Sequence, residues 1–141
     1  MAIEGMVHAL GRVRELVRSN GQVIDLHPTA EPAWVEIGAE RVGAVEAGDA
    51  PARHAAADAA LRTALDAGLF VAEDSAVFQF FTYADSIGEL DDHIRKTWRS
   101  ACIKSPVVEK ARAAMRGAAG TRPSVCEHVR LTRLRPMEAL V

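Results

Sequence analysis

The sequence has few cysteines, few aromatic residues and almost no excess of charge of either sign. Of its 141 residues two are cysteine and 5% are aromatic, and the formal net charge is −2. Two cysteines build neither a disulfide framework nor, without other ligands, a zinc site. So small a net charge gives no overall attraction to nucleic acid or to an anionic membrane. We therefore expect neither of them as a partner.

Long hydrophobic runs and targeting signals are missing as well. The alanine-rich stretch at residues 55–61 is interrupted by Asp58, whereas a membrane span needs about 20 consecutive apolar residues. The N-terminus lacks the basic start, apolar centre and small-residue cleavage site of a secretory signal. These absences predict a cytoplasmic protein without a membrane segment.

What is present is the composition of an ordinary globular chain. Hydrophobic residues make up 49% of the sequence and charged residues 26%, which argues against disorder. The length is typical of one domain, and no linker divides it. We expect a single α/β domain over residues 1–141.

The first third of the chain predicts a helix, a strand and a hairpin. Apolar residues recur every three or four positions from Ile3 to Val17, which predicts an amphipathic helix that Asn20-Gly21 ends. The β-branched run at residues 22–27 predicts a strand that is buried and parallel to its neighbours. Residues 34–45 predict a hairpin or two short edge strands around Gly38-Ala39.

Three more helices are indicated by capping residues and by breaks in the pattern. Asp49 and Pro51 start one that Gly68 ends. Ser86 and Glu89 have the spacing of a capping box, and the apolar face that follows predicts a helix over about 87–102. Ser105-Pro106 starts a shorter helix that continues to Gly117.

Two longer strands complete the predicted elements. Residues 69–83 are apolar on both faces, which is typical of a central strand. Residues 125–135 predict a strand near an edge of the sheet, ended by Pro136. Arg130 lies on one face of this strand and Arg133 on the other. We therefore interpret the basic cluster of Arg122, Arg130, Arg133 and Arg135 as charges that protect an edge from pairing rather than as a phosphate-binding stripe.

Together these segments resemble the C-terminal half of a class I S-adenosylmethionine-dependent methyltransferase. ALGRVRELVRSNGQVIDLHPT (9–29) resembles the family's fourth helix, tight turn and fifth strand. Residues 67–98 are similar to the sixth strand and its following helix, and VCEHVRLTRLRP (125–136) to the final strand. The resemblance implies a partial, half Rossmann-like mixed sheet with helices, in which strand 22–27 lies beside strand 125–135 and strand 71–83 lies outside that.

The family's cofactor-binding part has no counterpart in this sequence. The resemblance places that site on the first strand, its glycine-rich loop and an acidic residue after the second strand, and no Gly-x-Gly occurs here. Such a loop lets backbone amides approach the ligand. We therefore expect no cofactor and no catalysis in the isolated chain, and S-adenosylmethionine only if a partner completes the site.

The missing half also predicts how the chain assembles. Strand 22–27 would be left as an open edge, and such an edge needs a cover. A second copy across a twofold axis is the simplest cover, so we expect a homodimer. A methyltransferase-half partner that supplies the cofactor loop is the alternative, and a coding region that lost its first half is a third interpretation.

Five residues form the candidate pocket. His27 falls at the carboxyl end of its strand, with Thr29 in the loop after it, where open α/β sheets bind ligands. The resemblance implies that Tyr83 and Cys126 come near the same rim, and Trp34 would cover it. The alternatives stay open: a backbone-bonded His27, and core packing for Trp34 and Cys126.

The remaining polar residues suggest no catalytic or metal site. The histidines are scattered over separate elements without the spacing of zinc ligands, so we expect no metal. We therefore expect a dimeric methyltransferase-like domain without its own S-adenosylmethionine site that binds a ligand or a protein. The alternative is a subunit of a split methyltransferase.

Overall fold

The computed structural model describes residues 2–138 and has four helices and five strands in that range. No helix in the described range is both long and apolar enough to cross a membrane. The elements in chain order are α1 (Ile3–Leu16), β1 (Val23–Pro28), β2 (Trp34–Ile37), β3 (Glu40–Ala44), α2 (Ala50–Asp66), β4 (Phe70–Tyr83), α3 (Ile87–Thr97), α4 (Ser105–Arg116) and β5 (Pro123–Pro136).

The strands form an antiparallel sheet organised around β5. β1 pairs with β5 in a register that runs from Val23 opposite Leu134 to Pro28 opposite Val129. β2 pairs with β5 as well, β3 pairs with β2, and β4 pairs with β5. The α/β class is confirmed, and the pairing of β5 with both β1 and β4 agrees with the expected order. The prediction of a mixed sheet is wrong. It failed because an apolar run in the sequence does not indicate whether a strand is parallel or antiparallel to its neighbours.

Three expectations about the position of the strands in the sheet are corrected. β1 is neither buried nor parallel, since Ile24 and Leu26 are exposed and the strand is antiparallel to β5. β4 is not central: residues 72–80 are exposed, although the strand is apolar on both faces. β5 is not near an edge, because three strands pair with it.

The helices begin where the capping residues predicted but end earlier in two cases. α1 ends at Leu16 with an extended Val17, and Gly21 does not adopt the left-handed conformation. α3 ends at Thr97, because the chain after Trp98 turns away and the Ile103 N–H donates a hydrogen bond to Asp91, 2.7 Å away.

The capping box of α3 is confirmed. The Ser86 hydroxyl accepts a 3.1 Å hydrogen bond from the Glu89 N–H, which satisfies one of the free donors of the first turn. The Glu89 carboxylate accepts from the Asp85 N–H rather than from Ser86 itself. The hairpin is confirmed too, and Gly38 between its strands has φ of 61°.

The described residues divide into two compact units. Unit 1 contains residues 2–30, 52–78 and 129–138, and unit 2 contains residues 31–51 and 79–128. β4 and β5 contribute residues to both. The single domain expected from the sequence stays a prediction.

The units have separate apolar cores. In unit 1 the fully or nearly buried residues of the core are Leu61, Phe70 and Leu134, with residues of α1, α2 and β1 packed against them. In unit 2 the hairpin, α3, α4 and the start of β5 share a larger buried cluster that includes Val35, Ile37, Leu90, Ile94, Ile103 and Val125.

Candidate functional site

His27 lies between two carboxylates in unit 1. Side chains alternate along β1, so Asp25 and His27 share the face opposite to Ile24 and Leu26. The His27 Nδ1 atom lies 2.7 Å from Asp25 Oδ2, and its Nε2 atom lies 2.7 Å from Oδ1 of Asp58 on α2. The imidazole is 13% exposed, so it is held in a largely enclosed position.

Both ring nitrogens of His27 face carboxylate oxygens at the same distance. The two contacts fix the orientation of the ring, because one carboxylate lies at each of its nitrogens.

Arg130 joins the same cluster from β5. It lies directly opposite His27 in the β1–β5 register, so the two side chains share a face. Its Nη1 atom donates to Asp58 Oδ1 at 3.0 Å, the oxygen that also faces His27. We call Asp25, His27, Asp58 and Arg130 the His27 cluster. Asp58 is its centre, because His27 and Arg130 both contact it.

A cleft of about 500 Å³ borders the His27 cluster in unit 1. Two hydroxyl groups lie in it, Ser75 Oγ and Thr132 Oγ1, which are 3.4 Å apart. Its walls come from α2, β4 and β5, and they combine charged, hydroxyl and aliphatic side chains. The lining residues are Asp58, Leu61, Arg62, Leu65, Ala72, Ser75, Ala76, Val77, Arg130 and Thr132.

A second histidine of α2 lies beside the cluster. His54 Nδ1 donates to the Thr29 carbonyl at 3.1 Å. Burial lowers the pKa of His54, and the hydrogen bond to Thr29 acts in the opposite direction without reversing the shift. His54 is therefore held as a neutral ring that positions the loop after β1.

The other two arginines of β5 share one carboxylate, that of Glu73. Arg135 Nε donates to Glu73 at 2.8 Å, and Arg133 Nε lies 3.5 Å from the other Glu73 oxygen. Because β5 is a paired strand, the interpretation of these arginines as protection of an edge is wrong. Their recorded contact is with Glu73 on β4 instead.

The five predicted pocket residues lie in two groups. His27 and Thr29 belong to unit 1, where Thr29 is buried and its carbonyl binds His54. Trp34 and Cys126 are opposite one another in the β2–β5 register of unit 2. Tyr83 lines a separate unit 2 cleft of about 360 Å³. The convergence of all five residues on one rim stays a prediction.

No family model, curated protein or solved structure matches this chain.

The contacts of Trp34 and Cys126 indicate structural roles rather than catalytic ones. The guanidinium of Arg41 stacks 5.1 Å from the Trp34 ring centre, which fixes the indole on the hairpin. Burial, and next the negative charge of Glu36, raise the pKa of the Cys126 thiol. A thiol held in its neutral form is a poor nucleophile. Both cysteines are free; Cys126 is buried and Cys102 is partly buried.

The unit 2 cleft around Tyr83 has fewer groups that could bind a ligand. The Arg122 guanidinium lies 5.8 Å from the Tyr83 ring centre and also pairs with Asp85 at 3.2 Å. Its charge is therefore already balanced, and the rest of the lining is small or aromatic. We regard the unit 1 cleft as the candidate site.

Neither Asp58 nor Arg130 was identified as a site residue from the sequence. Asp58 interrupts an alanine-rich helix, and Arg130 lies among other arginines, so neither residue by itself indicates a binding site. One signal was available: a lone aspartate in the alanine-rich packing face of a helix requires a buried partner. Among residues 2–138, no group of three or more potential ligands is arranged to hold a metal ion.

Proposed function

We propose that this chain is a homodimeric binding domain, built like the C-terminal half of a class I S-adenosylmethionine-dependent methyltransferase and lacking that cofactor's site. The observation that carries the proposal is the open edge of β1. Within residues 2–138, β1 pairs with β5 alone. Its other edge presents unpaired backbone amides and carbonyls, which are a template for a further strand.

The side chains of β1 favour a second copy as that strand. Ile24 is 54% exposed and Leu26 58% exposed, so antiparallel pairing of two β1 strands would bury an apolar pair from each copy. The strand contains one carboxylate, Asp25, which is already bonded to His27, and no lysine or arginine. Self-association through β1 therefore meets little charge repulsion, and the twofold arrangement closes.

The test is the mass of the full chain in solution, measured by sedimentation equilibrium over a range of concentrations. We expect a dimer for the wild type and a shift toward monomer for Leu26→Lys, which places a charge on the paired edge. Leu16→Lys, at an 81% exposed position on α1, is the control and should leave the dimer intact. Phe80→Lys examines β4, the other exposed strand. A dimer that Phe80→Lys disrupts and Leu26→Lys does not would refute the proposal.

The methyltransferase-like part of the proposal is supported by strand pairing and by sequence. β5 pairs with β1 and with β4, which is the arrangement that the resemblance implies for these three strands. The glycine-rich loop that would hold the cofactor is absent from the sequence. We expect titration calorimetry of the purified chain with S-adenosylmethionine to give no saturable heat. Measurable binding would overturn this part and leave the dimer proposal untouched.

A split methyltransferase is the second candidate, and the same open β1 edge favours it. A partner with a strand, a Gly-x-Gly loop and a helix would add its strand to β1 and bring the cofactor loop with it. The test is to mix this chain with such a protein encoded beside it and to measure S-adenosylmethionine binding. Binding by the mixture and by neither chain alone supports this candidate over the homodimer.

A further inference from the structure

We propose that the unit 1 cleft binds a small organic monocarboxylate with a short apolar tail. The cleft measures about 500 Å³ and is lined by both charged and aliphatic residues. Arg62 and Arg130 supply positive charge at its polar side. Leu61, Leu65 and Val77 supply an apolar wall. An acid with a short hydrocarbon tail has this same division between a charged head and an apolar body.

The balance of charge in the cleft favours an anion. The lining contains two arginines and one carboxylate, Asp58. Asp58 Oδ1 already faces both Arg130 and His27, so its negative charge is shared between two partners. Among the described residues no carboxylate pairs with Arg62. Arg62 is therefore the guanidinium of the lining that is left to pair with a ligand.

The donors around the cleft suit a carboxylate head group. A guanidinium has five N–H donors, and the cluster uses one of those on Arg130, at Nη1. Arginine binds carboxylates through its planar fork, which makes it the usual partner for this group. The hydroxyls of Ser75 and Thr132 bond to each other, which leaves one of their two hydrogens as a further donor. Because one guanidinium, Arg62, lacks a carboxylate partner among the described residues, a monocarboxylate fits better than a phosphate monoester, which carries more than one charge.

Binding of the acid in the unit 1 cleft does not depend on the proposed dimer. All of the lining residues belong to unit 1. The β1 residues of the His27 cluster point to the face opposite to Ile24 and Leu26. A monomeric variant should therefore bind the acid as the wild type does.

The test uses the full chain and ligand-observed NMR titrations with hexanoate, hexylamine, hexanol and hexyl phosphate. We expect saturable binding of hexanoate, with the amine and the alcohol at least about tenfold weaker, as expected for loss of a charge-assisted contact. Hexyl phosphate should bind more weakly than hexanoate. Hexylamine or hexyl phosphate binding as tightly as hexanoate, or hexanoate showing no saturation, would overturn the proposal.

Variants then locate the site. Arg62→Gln removes an exposed charge with no carboxylate partner among the described residues, so the fold should persist while hexanoate affinity falls about tenfold. Arg130→Gln should weaken binding as much, with circular dichroism to check folding. Arg116→Gln in unit 2 is the matched control and should bind normally. Unchanged hexanoate affinity in Arg62→Gln contradicts the proposal. Leu26→Lys should bind like the wild type, which separates this result from the outcome of the dimer test.

Discussion

The two units differ in what they bury and in what they expose. Unit 2 packs its hairpin and two helices around an extended apolar cluster in which Leu90 and Ile94 are fully buried. Unit 1 has a smaller core and leaves Ile24 and Leu26 exposed. It also holds the charged His27 cluster. The comparison indicates that unit 2 has the larger apolar core, whereas unit 1 holds a charged cluster beside a cleft.

The largest effect should come from the core of unit 2. Leu90→Ala removes a side chain with no exposed surface and should lower the free energy of unfolding by about 2–5 kcal/mol. Leu61→Ala in the smaller core of unit 1 should cost about 2 kcal/mol, at the low end of that range, because fewer neighbours surround the cavity. Urea denaturation measures both.

Leu16→Ala is the control for these core variants. Leu16 is largely exposed on α1, so the change should stay within about 0.5 kcal/mol. A larger loss of unfolding free energy for Leu61→Ala than for Leu90→Ala would contradict the proposed difference between the two apolar cores.

The next effect tests the His27 cluster. Asp58→Ala removes the acceptor that His27 and Arg130 share, and leaves two donors without their partner. We expect a loss of about 1–3 kcal/mol in unfolding free energy. Asp66→Ala, at an exposed position of the same helix, is the matched control and should change stability little. Equal values for the two variants would show that the cluster is not held together as described.

A smaller, pH-dependent effect is expected from Glu127 in unit 2. Burial raises the pKa of Glu127, so the folded state favours the protonated acid more than the unfolded state does. Its favourable contribution is present at acidic pH and is lost as pH rises through the folded pKa. Glu127→Gln should therefore be more stable than the wild type at neutral pH, with the difference shrinking on acidification. Thermal unfolding across pH measures it, with Glu4→Gln as the exposed control.

Replacement of His54 in unit 1 should change the stability least. The change should appear in the pH range of histidine titration rather than that of glutamate. Its pKa is lowered by burial, so the unfolded state binds a proton more readily than the folded state. Stability is then full above the ordinary histidine pKa and falls as pH drops through it. His54→Gln should flatten this decline in thermal unfolding. A steeper loss of stability with falling pH in His54→Gln would contradict a lowered pKa of His54.

Much of the fold was predictable because local chemistry determines it. The capping box at Ser86, the hairpin at Gly38 and the glycine after α4 at Gly117 are short-range signals, and each element begins or ends where they indicate. Strand direction and position are different, since they depend on which strands meet. An apolar strand such as β4 has the same pattern whether it is central or exposed.

The site was predictable only in part for the same reason. His27 was recognised from its place at the end of a strand. The other members of its cluster, Asp58 and Arg130, are 31 and 103 positions away in the sequence. Pairing of residues so distant depends on the β1–β5 register and on the face that α2 presents, which no local pattern encodes.

Pairing of a second copy with the free edge of β1 is tested by amide hydrogen exchange of residues 23–27, since Pro28 has no N–H. The outward-facing amides of β1 should exchange slowly at high protein concentration and quickly at low concentration, in step with the mass measured by sedimentation. In Leu26→Lys they should exchange quickly at both concentrations. Fast exchange of these amides in a wild-type sample that is fully dimeric would contradict the account.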